Sequence, residues 1–93
     1  MIELKELYLK CEQKWGRPAQ FMILIEEMAE LTQAISKLYR AYNEFTEQKL
    51  IEELADVKIM TEQIETIMHI TERVQEQKKI KLNRLTKRIE KED

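Results

Sequence analysis

Residues that break helices are almost absent from this chain. Glycine and proline occur once each, as Gly16 and Pro18, in 93 residues. That scarcity leaves no glycine-rich phosphate loop and no dinucleotide-binding fingerprint. Cysteine also occurs once, as Cys11, which rules out an intrachain disulfide and fits a reducing compartment. The only histidine is His69, so the Glu-x-x-His pairs of carboxylate-bridged di-iron bundles cannot be assembled. His69 itself reads as a surface or packing residue. No Ser or Cys nucleophile constellation is present. No apolar run approaches the ~20 residues of a membrane-spanning helix, and Met1 to Lys10 lacks the unbroken apolar stretch of a secretory leader. A net charge of −2 gives no global electrostatic reason to bind nucleic acid or a membrane. The expectation is a cytoplasmic protein with neither as a partner.

What the chain does have is 43% apolar and 37% charged residues, a composition that is helical nearly throughout. The length allows one domain, residues 1–93. An amphipathic first helix is predicted over 2–14, with Ile2, Leu4, Leu7, Leu9 and Cys11 among charged residues. Trp15-Gly16-Arg17-Pro18 ends it, glycine closing one helix and proline opening the next. The second helix is expected over 18–42. After the polar break at Asn43-Glu44-Phe45-Thr46, a third is expected over 46–70, with Thr46 as its N-cap. A joint near Thr71-Glu72 then precedes a last helix over 73–91. The short loop between the second and third helices implies an antiparallel hairpin. The fold expectation is therefore all-α. It is a bundle of three long antiparallel helices plus a short N-terminal one, completed by association with further copies because a core this small is marginal alone.

Two acidic stretches organise the middle of the chain, Glu26-Glu27-Met28-Ala29-Glu30 and Glu52-Glu53-Leu54-Ala55-Asp56. Each holds a pair of carboxylates three residues apart, a spacing that puts both on one helix face. At about 100° per residue, Met28, Leu31, Ile35, Leu38 and Tyr42 fall within roughly 40° of Leu24. Ile23 and Ala34 widen that inward arc, and Glu27 and Glu30 lie among them, while Glu26 points the other way. In the third helix Leu50, Leu54, Val57, Met60, Ile64 and Ile67 form the arc. Glu53 lies inside it and Asp56 at its edge, and Glu52 points out.

Carboxylates on the apolar side of a helix stay ionised only with compensation, because desolvating unpaired charge is costly. Little Lys or Arg falls inside the two arcs, which leaves a divalent cation. Hard oxygen donors converging from two helices suit Mg²⁺, with Mn²⁺ as the substitute. The plainer alternative is that these are solvated flanking charges, since a lone E-x-x-E is common in helices.

E-E-x-x-E followed by E-E-x-x-D on two helices of a short all-α chain resembles the MazG-like branch of the all-α nucleotide pyrophosphohydrolases. The likeness runs over residues 12–90, from near Lys14-Trp15-Gly16 through the basic last helix. It implies a Mg²⁺-dependent enzyme that splits a nucleoside triphosphate into monophosphate and pyrophosphate, in nucleotide-pool housekeeping. Glu27, Glu30, Glu53 and Asp56 are then the metal ligands and catalytic carboxylates, and a homodimer or homotetramer is the expected assembly.

Four further residues are candidates for substrate contact. Trp15 could stack on a base, though a tryptophan at a helix joint usually packs the hinge. Gln20 could read a base or ribose through its amide, against a plain helix-surface role. The last helix carries eight Lys or Arg residues, and a narrow apolar stripe of Val74, Leu82, Leu85 and Ile89. Lys81 and Arg84 flank that stripe and would suit a triphosphate, against the simpler reading of a solvated cationic face. A second function class also fits the sequence: a non-enzymatic helical interaction module, such as an antiparallel coiled-coil oligomer, whose acidic pairs are charge decoration.

Overall fold

The computed structural model describes residues 2–92. It consists of four α-helices, α1 Leu4–Trp15, α2 Arg17–Arg40, α3 Glu44–Ile67 and α4 Thr71–Glu92, and no strand occurs among the described residues. The chain is all-α, as its composition requires.

The joints follow from local chemistry. Gly16 has φ +85°, a left-handed conformation that a side chain would strain. Its N–H donates to Glu12 O at 2.8 Å, closing α1. Pro18 then sits in the first turn of α2, where its missing donor costs nothing. Arg17 fastens this corner by donating to Glu12 Oε2 at 2.7 Å and to Ile67 O at 3.2 Å, at the far end of α3.

The N-cap of α3 is Asn43, not Thr46 as the sequence suggested. Asn43 Oδ1 accepts from Thr46 N at 2.9 Å, and Thr46 Oγ1 accepts from Asn43 N at 3.0 Å. Threonine does the work that glutamate does in the usual capping box, so α3 begins two residues early and α2 stops at Arg40. The α3–α4 joint falls at Met68–Ile70 and not at Thr71-Glu72. There His69 has φ +57°, its N–H meets Thr66 O at 3.1 Å, and Ile70 N meets Glu65 O at 2.9 Å. This pair of bonds is a Schellman closure with histidine in the place glycine normally takes.

α2 and α3 form the main helix–helix interface, and α1 packs on both. Their facing pairs run in opposite chain directions, Gln20 with Gln63 and Glu27 with Asp56, which makes the hairpin antiparallel. The buried set is small: Tyr8, Ala34, Met60, Ile64 and Ile67, together with Gln20, Glu53 and Gln63. Several residues expected on the inward arcs are exposed, namely Met28, Ile35, Tyr42 and Leu54. One hairpin partner covers only the middle of an arc that spans about half a helix.

α4 departs furthest from expectation. Within the chain it touches only α3, and its described residues beyond Thr71 are exposed, the stripe Val74, Leu82, Leu85 and Ile89 included. It is not a third antiparallel member of an intrachain bundle. The radius of gyration is 16.6 Å, where a compact chain of this length gives about 12 Å. Accessible surface tells the same story: 7862 Å² for 11.3 kDa, against about 5,700 Å² for a compact monomer of that mass. No described helix is long and apolar enough to cross a membrane.

Candidate metal centre

The acidic stretches meet because the hairpin register requires it. Glu27 and Glu30 lie one helical turn apart on α2, and Glu53 and Asp56 face them from α3 in reverse order. Glu53 is 7% exposed, Glu27 is half-buried, and Glu30 and Asp56 are exposed. Each of Glu27, Glu30 and Glu53 offers one oxygen, and the three oxygens lie within 4.8 Å of one another. Asp56 stands outside that trio but close enough to act electrostatically on Glu27. Glu26 and Glu52 are exposed, and Glu52 only accepts a bond from Gln48 Nε2 at 3.2 Å on its own helix.

Burial, then the charges of Asp56, Glu30 and Glu53, push the Glu27 carboxyl above the usual carboxylate range. Glu53 is raised by burial first and then by Glu30, with Lys49 pulling the other way. Lys49 Nζ lies 3.8 Å from Glu53 Oε1, with half of the lysine side chain in solvent. It therefore offsets little of the repulsion. Glu27 Oε2 and Glu53 Oε2 are both buried with no hydrogen-bond partner. Buried acceptors without donors are rare in folded proteins. They can be satisfied here by a proton shared between carboxyls or by a cation, and the oxygen-only donor set fits Mg²⁺ or Mn²⁺ in kind.

The other candidates lie elsewhere. Gln20 is not on the surface: it is 1% exposed and accepts a hydrogen bond from Gln63 Nε2, while its own Nε2 has no partner. It sits two helical turns from Glu27, about 10 Å along the axis. Trp15 is 57% exposed at the end of α1, packed neither in a hinge nor in the core, with Lys14 Nζ 5.2 Å from its ring centroid. Lys81 and Arg84 are exposed on α4, which makes no contact with α2. The α4 helix starts about 21 Å along α3 from Glu53. Within one chain, then, the fold gathers the carboxylates and leaves Trp15, Gln20, Lys81 and Arg84 apart from them.

Two lysines were not singled out from the sequence. Lys37 and Lys49 share a cavity of about 370 Å³ with Glu30 and Glu53, between the C-terminal part of α2 and the first turns of α3. Their signal was spacing: Lys37 is two turns beyond Glu30, and Lys49 one turn before Glu53. No protein family, curated protein or solved structure matches this chain.

Proposed function

We propose that this protein is a Mg²⁺-dependent nucleoside triphosphate pyrophosphohydrolase of the MazG-like kind, converting an NTP or dNTP and water to the monophosphate and pyrophosphate, and working as a homodimer or homotetramer. The observation that carries this reading is the convergence of Glu27, Glu30 and Glu53 from two helices, with two of their oxygens buried and unpartnered. Glu27, Glu30, Glu53 and Asp56 would hold the metal. A divalent ion there supplies Lewis acidity toward phosphate oxygens and water. The chain's own part is to fix the carboxylates on packed helices and to accept a proton. One of the four carboxylates, standing off the metal, would instead take the proton of the water that attacks the α-phosphorus, as the bond to pyrophosphate breaks. Housekeeping of the nucleotide pool in the cytoplasm is the role that goes with this reaction.

The test compares Glu26→Gln, Glu27→Gln, Glu52→Gln and Glu53→Gln with the parent. Each is assayed for monophosphate and pyrophosphate from a panel of NTPs, and for the rise in Tm on adding Mg²⁺. Glu27→Gln and Glu53→Gln should lose turnover by orders of magnitude and most of the Mg²⁺ shift, and their outward neighbours should lose neither. Equal losses within each adjacent pair refute the assignment.

The exposed apolar residues favour keeping a second reading, a helical interaction module. Leu82, Leu85 and Ile89 on α4 and Met22, Ile25 and Met28 on α2 are all at least half exposed. On that reading assembly is the whole function, and neither a Mg²⁺ shift nor turnover is seen.

A further inference from the structure

The cavity beside the carboxylates has a chemistry of its own. It is lined by Glu30, Gln33 and Lys37 from α2 and by Phe45, Lys49 and Glu53 from α3. Its volume of about 370 Å³ lies within the roughly 300–1,000 Å³ of small-molecule sites. Among the described residues Lys37 forms no ion pair, although it stands on an acidic chain. Lys49 reaches only one oxygen of Glu53, at 3.8 Å, and leaves the other without a partner. Two lysines with little to neutralise them therefore line one cavity, and Glu30 and Glu53 of the carboxylate cluster line it with them. The ordinary roles of these residues, Lys37 countering the C-terminal dipole of α2 and Lys49 pairing at i,i+4, explain each position singly. They do not explain why both line the same space.

We infer that Lys37 and Lys49 form a polyphosphate subsite that holds the β- and γ-phosphates, the group that leaves as pyrophosphate. This rests on the pyrophosphohydrolase reading and adds a polarity to it. The α-phosphorus lies at the carboxylates, the pyrophosphate end points toward the α2–α3 loop, and the nucleoside extends the other way along the hairpin. Lysine suits the task, since it meets phosphate as a mobile point charge with three donors.

The probe is inorganic pyrophosphate with Mg²⁺, titrated calorimetrically into the full chain, its Lys37→Met and Lys49→Met variants, the double variant, and Lys58→Met as an exposed control on α3. Each subsite variant should weaken pyrophosphate binding about tenfold and the double variant about a hundredfold, as for separate charge-assisted bonds. Lys58→Met should bind like the parent. Lys37→Arg should recover most of the affinity lost in Lys37→Met. Because Lys49 touches Glu53, Lys37→Met is the decisive variant, and its Mg²⁺-induced Tm rise without pyrophosphate should match the parent's. Unchanged affinity in Lys37→Met, or no binding by the parent at millimolar pyrophosphate, overturns the subsite. The two readings fail separately. NTP turnover with unaffected pyrophosphate binding removes the subsite and keeps the enzyme. Lysine-dependent pyrophosphate binding without turnover of any NTP removes the enzyme and keeps the subsite.

Discussion

The buried amide pair offers a sharp test of how this core is held. Gln20 and Gln63 are 1% and 4% exposed, and Gln63 Nε2 donates to Gln20 Oε1 while Gln20 Nε2 has no partner. Replacing Gln63 with Leu strands a whole amide, both the oxygen and the nitrogen of Gln20, in the interior. A stranded buried polar group costs about 1–3 kcal/mol, whereas replacing both partners by apolar groups of similar shape is nearly neutral. Gln20→Leu strands the Gln63 donor but also removes an orphan already present, so it should cost less than Gln63→Leu. The double variant should unfold within about 1 kcal/mol of the parent. For a chain of this length, about 1 kcal/mol moves Tm by roughly 4–8 °C, so Gln63→Leu should be visible in a simple melt. The assay is denaturant unfolding of all four proteins at one protein concentration, analysed as a double-mutant cycle. Additive costs, or Gln20→Leu the worse of the two singles, would refute the argument. An effect of Gln20→Leu on KM with stability intact would return its amide to substrate recognition.

Glu27 and Glu53 titrate above the ordinary carboxyl value of 4.5 in the folded chain. The stability they contribute without metal is therefore present below that pH and is lost as pH rises through their raised values. Melts in EDTA should show this decline. Mg²⁺, which needs the ionised carboxylates, should raise Tm increasingly over the same window, and a pH-independent Mg²⁺ shift counts against the site. Tyr8 donates to Glu62 at 2.9 Å and is held up to about 12 by burial and that carboxylate. Its share of stability is present below pH 10 and lost through about 12, readable in the ultraviolet absorbance of ionised tyrosine; Tyr8→Phe should cost about 0.5–1.5 kcal/mol. His69→Gly should stabilise by about 1 kcal/mol, since the αL closure at φ +57° strains any β-carbon. The surface in excess of a compact monomer, about 2,100 Å², matches one protomer's share of an obligate dimer interface. Light scattering should therefore find an oligomer, and Leu85→Glu should weaken it.

Some of this was legible from residue spacing and some was not. The helical angle separates Glu27 and Glu53 from Glu26 and Glu52 because period and face are local properties. The capping of α3 is hard to read because Asn43 with Thr46 at N3 departs from the S/T-x-x-E pattern, although each residue is a good local hydrogen-bonder. The apolar arcs are wider than one hairpin partner can cover. Periodicity shows which side of a helix is apolar, but not how much of that side one neighbour covers, and so Met28, Ile35 and Leu54 are left in solvent. Burial of Gln20 had no sequence signal at all, since an isolated glutamine reads as surface until its partner 43 residues away is known.

α4 shows where local reasoning stops and why the carboxylate cluster persists. Its stripe and its cations were readable, but the placement of Lys81 and Arg84 depends on what the stripe packs against, and no surface among the described residues provides that. The carboxylates depend on no such distant choice. They lie on the one interface that α2 and α3 must form, with Ala34 and Met60 buried along the same seam. Packing therefore imposes the repulsion among Glu27, Glu30 and Glu53, and the hairpin cannot splay to relieve it without giving up its core. A flexible loop bearing the same three acids would spread them into water. Helices held in register keep them within 4.8 Å, and a cation can collect that stored electrostatic energy as binding.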